Sequence, residues 1–317
     1  MAERGLIGDI GATNSRLALV EADGSLAQIR VLATDEFAGL AEMIEAYFSS
    51  KARAERPPRA VLAVASPVTG DEVSFTNVPW TFSIDGLRER LGFERLDVIN
   101  DFVANALAVP HLAPSGYMQI GGGAPVKAAP VAVLGPGSGL GVSALVFDQG
   151  RAVPIQGEGG HVTMAPADAQ EARVLDWMRK RLDHVSAERV LSGPGLVNLY
   201  AALCELHGER QEQFSAAQIT DAQVDEGHPR AREATDMFCA MLGTVAGNLA
   251  LTFGARGGVY IAGGIVPRLG ARFADSAFRA RFEAKGRFQH YLAAVPTYVI
   301  THPFPAMVGA AGLLEEA

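Results

Sequence analysis

Residues 96–108 have the sequence LDVINDFVANALA, in which a short run of apolar and β-branched residues leads into an alanine-rich segment. The run Leu96–Ile99 predicts a strand, and the segment after Phe102 has the composition of a helix. Asp101 lies at the junction. Ligands of open α/β sheets bind at the carboxyl ends of the strands, so a carboxylate there can take a proton from a bound hydroxyl. The alternative is that Asp101 caps the helix, which this stretch alone favours.

The composition is that of a globular protein with a large core. The chain has 317 residues, 49% of them hydrophobic, and single cores rarely grow beyond about 250–300 residues, so we expect two domains. The net charge of −8 argues against nucleic acid as a partner. Cys204 and Cys239 lack metal-ligand spacing, which favours a reducing cytoplasm over a disulfide or a zinc site. No apolar run approaches the ~18 residues that a membrane span needs, and the N-terminus leads into a strand without signal-peptide features.

A glycine-containing hairpin begins the chain. Gly5–Ile10 and Ser15–Val20 predict two strands, and Gly11–Asn14 predicts the tight turn between them. Backbone N–H groups and hydroxyls in such a turn can surround a phosphate. An ordinary hairpin explains the same pattern, and a single glycine turn favours that simpler interpretation.

A second stretch repeats this pattern. A buried strand leads into the turn Gly135–Gly141, and Ala144–Val146 matches Ala18–Val20 at an offset of 126 residues, while Gly135 matches Gly8 at an offset of 127. Two such hairpins predict an internally duplicated fold, with the two turns on either side of a cleft that holds a nucleoside triphosphate. None of the four lysines follows a glycine, which excludes a P-loop, and the Gly-x-Gly-x-x-Gly fingerprint is also missing from both turns.

Apolar spacing predicts helices around these hairpins. Asp35–Ser49 is predicted as a helix with Thr34 as its N-cap, and another helix is predicted after a cap at Ser83. Pro110–Pro130 is rich in glycine and proline and predicts the crossing between domains. Arg230–Phe253 predicts a long helix with a core-facing stripe formed by Phe238, Met241, Leu242, Val245 and Leu249.

Polar side chains in loops are further candidates, each with a simpler explanation. Asn77 lies in a loop, where turn chemistry usually explains an asparagine. Glu158 and His161 lie on a glycine-rich loop, for which ligand binding and a plain surface turn are equally good explanations. Glu188 by itself is typical of a solvated helix residue. The strand before Gly263-Gly264 ends in a turn that accepts a flat purine or only reverses the chain.

Together these stretches closely resemble the bacterial ATP-dependent glucokinases of the hexokinase and actin-like ATPase superfamily. The resemblance runs essentially from end to end, and its most specific motif is His184–Gly195. The matching stretches are Gly8–Arg16, Thr76-Asn77 with Trp80, Ile99–Phe102, Gly135–Gly141, Gly157–Val162, Val185–Tyr200 and Gly257–Arg268. Two departures are Ala12, where the family more often has glycine, and Pro136, at a position where members vary. The cysteine cluster of the zinc-binding ROK sugar kinases is absent, which favours the other branch.

The resemblance implies an α/β, duplicated RNase H-like fold, with two domains that close over sugar and nucleotide. The small domain is expected to comprise residues 1–110 and 301–317, and the large domain residues 111–300. The implied reaction transfers the γ-phosphate of ATP to the 6-hydroxyl of glucose, at the entry to glycolysis; the alternative is a related kinase for another hexose or an amino sugar. A cytoplasmic homodimer without membrane or nucleic-acid partners is implied as well.

The resemblance also implies roles for particular residues, with Asp101 as the general base. The implied sugar ligands are Asn77, Asn100, Asp101, Glu158, His161 and Glu188. The implied contacts to ATP are Gly8, Asp9, Ile10, Gly11, Ala12, Thr13, Gly135, Gly137, Ser138 and Gly139. We expect Mg²⁺ to arrive on ATP, with Asp9 as a water-mediated partner, and no dedicated metal site.

These residue types suit the implied chemistry. A hydroxyl loses its proton late in a loose phosphoryl transfer, so an ordinary carboxylate suffices as base. Carboxylates also accept hydrogen bonds from sugar hydroxyls, whereas they would repel the acetate or polyphosphate of a related phosphotransferase. A sugar-sensing repressor would need a DNA-binding segment before the first strand, and only four residues precede Gly5.

Overall fold

The computed structural model describes residues 5–52, 55–222 and 228–316. The strands are β1 Gly5–Ile10, β2 Asn14–Val20, β3 Leu26–Ala33, β4 Arg59–Val64, β5 Glu72–Ser74, β6 Thr81–Ser83, β7 Arg95–Asn100, β8 Tyr117–Ile120, β9 Val131–Pro136, β10 Leu140–Asp148, β11 Arg151–Gly157, β12 Gly258–Ile261 and β13 Thr297–Ile300. The α-helices are α1 Leu40–Tyr47, α2 Ile84–Leu91, α3 Asp101–Ala108, α4 Ala169–Arg179, α5 Gly193–Leu206, α6 Ala216–Ala222, α7 Pro229–Phe253, α8 Ile265–Leu269, α9 Ala271–Ala274, α10 Phe278–Glu283, α11 Gln289–Ala293 and α12 Pro305–Glu316. Short 3₁₀ helices lie at Thr34–Glu36, Val109–His111, Pro114–Gly116, Gly159–His161 and Gly286–Phe288.

The chain divides into two compact units. Unit 1 comprises Met1–Ala113 and His302–Ala317, and unit 2 comprises Pro114–Thr301. Both are α/β, so the α/β class predicted from the sequence is confirmed.

Unit 1 is built on a five-stranded sheet in the order β3-β2-β1-β4-β7. Strands β1, β2 and β3 pair antiparallel, whereas β4 and β7 run parallel to β1. Buried leucines and aromatic residues cover one face together with α1 and α2, and α12 covers the other through Met307 and Leu314. Helix α12 crosses α3 at Gly309, where a Cβ would lie 1.9 Å from the carbonyl oxygen of Ala104, so only glycine permits this approach.

Unit 2 is built on a six-stranded sheet in the order β11-β10-β9-β12-β13-β8. Strands β9, β10 and β11 pair antiparallel, and β12 and β13 run parallel to β9. The first five positions therefore repeat the order and directions of the unit 1 sheet. The added edge strand β8 pairs antiparallel with β13 and was not predicted. It lies within Pro110–Pro130, where the predicted crossing is confirmed, since the chain passes from unit 1 to unit 2 at Ala113 and Pro114.

Helix α7 lies in the core of unit 2. Its predicted apolar stripe is confirmed, since Phe238, Met241, Leu242 and Val245 are buried and Leu249 packs against them. Within the part of the chain that the structure describes, α7 alone is long and apolar enough to cross a membrane, but 56% of its most apolar window is buried inside the protein. The expectation that no apolar run approaches the length of a membrane span was wrong for α7, because the polar residues spaced along it leave it apolar on average. Its burial identifies α7 as a core helix.

The strand register corrects the match between the two hairpins. Gly8 pairs with Leu17. At the predicted offset of 126 residues, the counterpart of Leu17 is Ser143, and Ser143 pairs with Val133 and not with Gly135. By the same criterion the counterpart of Gly135 is Ile10, at an offset of 125. The match of Gly8 with Gly135 was therefore wrong, because the second turn contains one more residue than the first.

The helix predictions around the first hairpin were right in one case and wrong in another. Ser83 caps α2, since its Oγ accepts a hydrogen bond from the N–H of Gly86 at 2.9 Å. Thr34 caps no helix: it begins a 3₁₀ helix, and α1 starts only at Leu40. The Thr34 hydroxyl is instead bonded to the carbonyl oxygen of Gly11, a residue in the first hairpin turn.

Candidate functional site

The first glycine turn is fixed from outside by Thr34. The Thr34 hydroxyl donates to the carbonyl oxygen of Gly11 at 2.8 Å, and its backbone N–H donates to the carbonyl oxygen of Thr13 at 3.0 Å. The Oγ of Ser15 lies 2.9 Å from the Thr34 hydroxyl, and both side chains are fully buried. The turn is tight, because a Cβ on Gly11 would lie 2.7 Å from the carbonyl oxygen of Asn14.

Asp9 lies on β1 just before this turn and forms an ion pair with Arg16 of β2. Their side chains meet at 3.1 Å, and 22% of the Asp9 side chain is exposed. Burial raises the pKa of the Asp9 carboxyl above its ordinary value, although the charge and hydrogen bond of Arg16 act in the opposite direction. An oxygen donor suits Mg²⁺, but the pairing with Arg16 fits contact through water better than direct coordination.

The carboxyl end of β7 presents Asn100 and Asp101. Asn100 is the N-cap of α3, since its Oδ1 accepts from the N–H groups of Phe102 at 2.8 Å and Val103 at 3.3 Å. The interpretation of Asp101 as the cap was therefore wrong. Asp101 is the first residue of α3, is half-buried, and accepts from the N–H of Phe102 at 2.9 Å. The first turn of α3 thus holds a carboxylate at the carboxyl end of β7, which runs parallel to β4.

Ser66 connects the carboxyl end of β7 to the loop that carries Asn77. The side-chain amide of Asn100 donates to the carbonyl oxygen of Ser66 at 3.3 Å, and the Ser66 Oγ accepts from the N–H of Thr76 at 3.1 Å. The loop is anchored at its far end by buried Trp80, whose ring meets that of Phe75 edge-on at 5.7 Å between centroids. Asn77 itself is exposed, on a loop whose two ends are fixed.

The second glycine turn is closed by its own backbone and fastened by α5. The N–H of Gly137 donates to the carbonyl oxygen of Gly139, and the N–H of Gly193 donates to the carbonyl oxygen of Gly137, both at 2.8 Å. Ser192 caps α5 by accepting from the N–H of Gly195 at 3.0 Å. The N–H groups in the first turn of a helix have no partner within the helix, and Pro194 has no N–H at all. The N–H of Gly193 is therefore available to bond Gly137, and the start of α5 holds the glycine turn in place.

Glu188 is bonded to the residue that follows this turn. Its Oε2 accepts from the N–H of Leu140 at 2.8 Å, and a Cβ on Gly139 would lie 2.5 Å from that oxygen. Glu188 lies in a turn and is half-buried, so the interpretation as a solvated helix residue was wrong. Glycine at position 139 makes room for the carboxylate.

The loop with Glu158 and His161 packs beside Glu188. The Gly159–His161 3₁₀ helix is joined to it through the N–H of Glu188, which donates to the carbonyl oxygen of Gly160 at 2.8 Å. Gly160 fits only because it lacks a side chain, since a Cβ would lie 2.0 Å from the carbonyl oxygen of Leu140. The side chains of Glu158 and His161 are exposed.

The predicted residues thus fall into two groups, one in each unit. In unit 2, backbone hydrogen bonds join the Glu158–His161 loop to Glu188, whose carboxylate bonds the N–H of Leu140 at the end of the turn Gly135–Gly139. In unit 1, Asn100 and Asp101 share the end of β7, and Ser66 ties the Asn77 loop to them.

Sequence reasoning missed Ser66 and Thr34. Thr34 directly follows β3, and Ser66 follows β4 after one residue. A hydroxyl residue at the end of a strand is the signal that could have identified them. Among residues 5–52, 55–222 and 228–316, no three His, Cys, Asp or Glu side chains converge as a metal-ligand set.

Comparison with known proteins assigns the family. A family profile described as Glucokinase matches residues 6–317. The glucokinase of Paramagnetospirillum magneticum is 51% identical to this chain over 317 residues, which cover 100% of this chain and 99% of that protein. The crystal structure of a glucokinase from an Antarctic psychrotroph aligns over 100% of both chains with a TM-score of 0.89 and 34% identity.

A more distant structure agrees in fold. A ROK family glucokinase from Streptomyces griseus, in complex with glucose and AMPPNP, aligns over 99% of both chains with a TM-score of 0.65 and 18% identity. At this identity the likeness concerns the fold alone. The full-length profile match and the identity of about one half to a curated relative confirm the resemblance found in the sequence motifs. This chain belongs to the glucokinase family.

Proposed function

We propose that this chain transfers the γ-phosphate of ATP to the 6-hydroxyl of glucose, with Asp101 as the general base. The observation that carries the assignment is the position of Asp101 at the carboxyl end of β7, in the first turn of a helix that Asn100 caps. This cap fixes the backbone on both sides of the carboxylate. A base held in this way accepts the hydroxyl proton late in the transfer, while positioning supplies most of the remaining acceleration.

The sugar hydroxyls would be bound by Asn77, Asn100, Glu158, His161 and Glu188. Carboxylates and amide oxygens accept hydrogen bonds from a polyol, and His161 can donate or accept one. Two observations support this set. Glu188 is held by the N–H of Leu140, and the exposed side chains of Glu158 and His161 stand on a loop that is fastened to Glu188.

The phosphates of ATP would be bound by the two glycine turns, residues 8–13 and 135–139. Both turns are tight and carry backbone amides, which suits an anion. Mg²⁺ would be held on the ATP phosphates and would offset their charge, with Asp9 contacting its water shell.

We also infer the domain organisation and setting of the enzyme. The repeated strand order and directions of the two sheets support a duplicated RNase H-like fold, and the compact units support domains close to 1–110 with 301–317 and 111–300. Two buried thiols without a disulfide suit a cytoplasmic enzyme at the entry to glycolysis. A homodimer remains a proposal that follows from the family resemblance.

A coupled assay of ADP release tests the proposed reaction. The purified full chain is given ATP and Mg²⁺ with glucose, mannose, fructose or glucosamine in turn, and the product is identified by its phosphorus NMR spectrum. We expect the highest kcat/KM for glucose, phosphorylation at the 6-hydroxyl, and little ATP hydrolysis without sugar, since sugar binding is expected to exclude water from the γ-phosphate. Equal ADP release with and without sugar would refute the proposal. A higher kcat/KM for glucosamine or mannose would identify the related sugar kinase instead.

A further inference from the structure

Thr34 is a buried residue whose hydroxyl bonds lead out of its own 3₁₀ helix, to Gly11 and Ser15. It directly follows edge strand β3 and is fully buried. Burying a hydroxyl costs free energy unless hydrogen bonds replace those lost with water. Valine has the same shape and would fill this position without that cost, so the reason for threonine must lie in what its hydroxyl contacts.

All the recorded partners of Thr34 in the first hairpin belong to the turn or its closing residue. The hydroxyl donates to the carbonyl oxygen of Gly11 at 2.8 Å, and the backbone N–H donates to the carbonyl oxygen of Thr13 at 3.0 Å. A hydroxyl has one proton to donate. The Ser15 Oγ lies 2.9 Å from the Thr34 hydroxyl and 3.4 Å from the same Gly11 carbonyl oxygen. Since Thr34 makes the shorter bond to Gly11 and uses its proton there, Ser15 is the donor in the 2.9 Å contact. Ser15, Thr34 and Gly11 thus form a directed chain of hydrogen bonds, each of which polarises the next.

This chain fixes the orientation of one peptide plane in the turn. The carbonyl and the N–H of a trans peptide point in opposite directions. Because Thr34 holds the carbonyl oxygen of Gly11, the N–H of Ala12 in the same peptide points away from Thr34. An amide held in a fixed direction in a glycine turn is the element that an anion-binding concavity requires.

We infer that Thr34 is a positioning residue for the phosphates of ATP, acting through the peptide between Gly11 and Ala12. The inference rests on the proposed function of residues 8–13. Without the hydroxyl, that peptide can rotate. ATP binding must then restrict it again, which makes the free energy of ATP binding less favourable. The proposed sugar ligands make none of these contacts, so the free energy of glucose binding should not change.

Thr34→Val tests this role, because it removes the hydroxyl and keeps the shape. We expect KM for ATP to rise about tenfold, the size of one neutral hydrogen bond with buried partners left unsatisfied. KM for glucose should change less than about twofold, and Thr34→Ser, which restores the hydroxyl, should return KM for ATP to near the wild-type value. Thr235→Val is the matched control: Thr235 is equally buried and donates to the carbonyl oxygen of Ala231 at 3.0 Å within α7. It should lower the thermal midpoint without changing KM for ATP.

Two further variants keep the outcomes distinct. Gly11→Ala perturbs the turn directly, since its Cβ would meet the carbonyl oxygen of Asn14. If Gly11→Ala raises KM for ATP and Thr34→Val does not, the inference about Thr34 is refuted and the assignment of the turn stands. If neither variant changes KM for ATP, both are refuted. Should Thr34→Val fail to fold, Ser15→Ala removes the donor at the start of the chain, and an unchanged KM for ATP in that variant would also overturn the inference.

Discussion

Replacing Asp101 by asparagine separates catalysis from structure at the end of β7. The asparagine Oδ1 can keep the hydrogen bond from the N–H of Phe102, which is 2.9 Å long with aspartate, and Asn100 still caps the helix. The variant loses only a negative charge in the first turn of α3, which contributes about 0.3–1 kcal/mol to helix stability. Because domains are stable by about 5–15 kcal/mol, Asp101→Asn should remain folded.

The expected effect on the rate is far larger. A positioned general base contributes about 10²–10⁴-fold, which corresponds to about 3–5 kcal/mol of activation free energy. The amide can still hydrogen-bond a sugar hydroxyl but cannot accept its proton, so kcat should fall by this factor while KM for glucose changes little. Asp101 has a catalytic role if the activation free energy rises several times more than the free energy of unfolding falls.

Steady-state kinetics with a coupled assay of ADP release and thermal unfolding measure the two quantities. Asp97→Asn is the matched control, since Asp97 lies on the same strand, is 29% exposed, and pairs with Arg95 at 2.7 Å. It should leave kcat within about twofold, because a surface ion pair contributes only about 0–1 kcal/mol to stability. If Asp101→Asn retains kcat within about threefold of the wild type, Asp101 is not the base.

Three further predictions concern the sugar site, the first turn and the cysteines. Glu158→Gln should raise KM for glucose with little change in KM for ATP; a change in KM for ATP alone would mean that Glu158 does not bind the sugar. Asp9 has a raised pKa in the folded protein, so its contribution to stability is present below its ordinary pKa of 3.8 and is lost as the pH rises through the higher folded value. The thermal midpoint of Asp9→Asn relative to the wild type should therefore increase from pH 4 towards neutral pH, and a constant difference would contradict the burial argument. Cys204 and Cys239 are buried, and burial raises the pKa of Cys239 to about 12, so a thiol reagent at pH 8 should label neither cysteine until the protein unfolds, whereas rapid labelling of native protein would contradict their burial.

Local pattern was enough for the elements that hold the reactive groups. Strand β7 and helix α3 follow from the apolar run and the alanine-rich segment at residues 96–108, and Ser83 caps α2 as its position predicts. The motifs were also sufficient to identify the family, since the profile match confirms the resemblance. These signals are encoded within about ten neighbouring residues, where periodicity and capping act.

The contacts that shape the candidate site are not local, and sequence reasoning missed them for that reason. Thr34 precedes acidic residues and therefore has the pattern of an N-cap, but its hydroxyl bonds a carbonyl 23 residues earlier in the chain. The carboxylate of Glu188 bonds an amide 48 residues earlier. Strand β8 is four residues long and lies in a segment rich in glycine and proline, and only its pairing with β13, more than 170 residues later, makes it a strand.

The two glycine turns are equivalent in topology but are fastened by different chemistry. In unit 1, the Thr34 hydroxyl bonds the Gly11 carbonyl oxygen at 2.8 Å, the Ser15 hydroxyl supports it at 3.4 Å, and neither residue is assigned to the sugar. In unit 2, the residue that bonds the end of the turn is Glu188, which is itself a proposed sugar ligand. A bond between a carboxylate and an N–H is charge-assisted, and it holds the carboxylate in one orientation. Under the proposed roles, a sugar that binds Glu188 in this orientation also stabilises the arrangement of the second turn. By linkage, a nucleotide that stabilises this arrangement raises the affinity for the sugar by the same factor. In unit 1 the connection is less direct: the N–H of Ala65 donates to the carbonyl oxygen of Ile10 at 3.2 Å, and the next residue, Ser66, accepts from the side-chain amide of Asn100, a proposed sugar ligand. We therefore expect the stronger coupling between the two substrates to pass through Glu188 in unit 2.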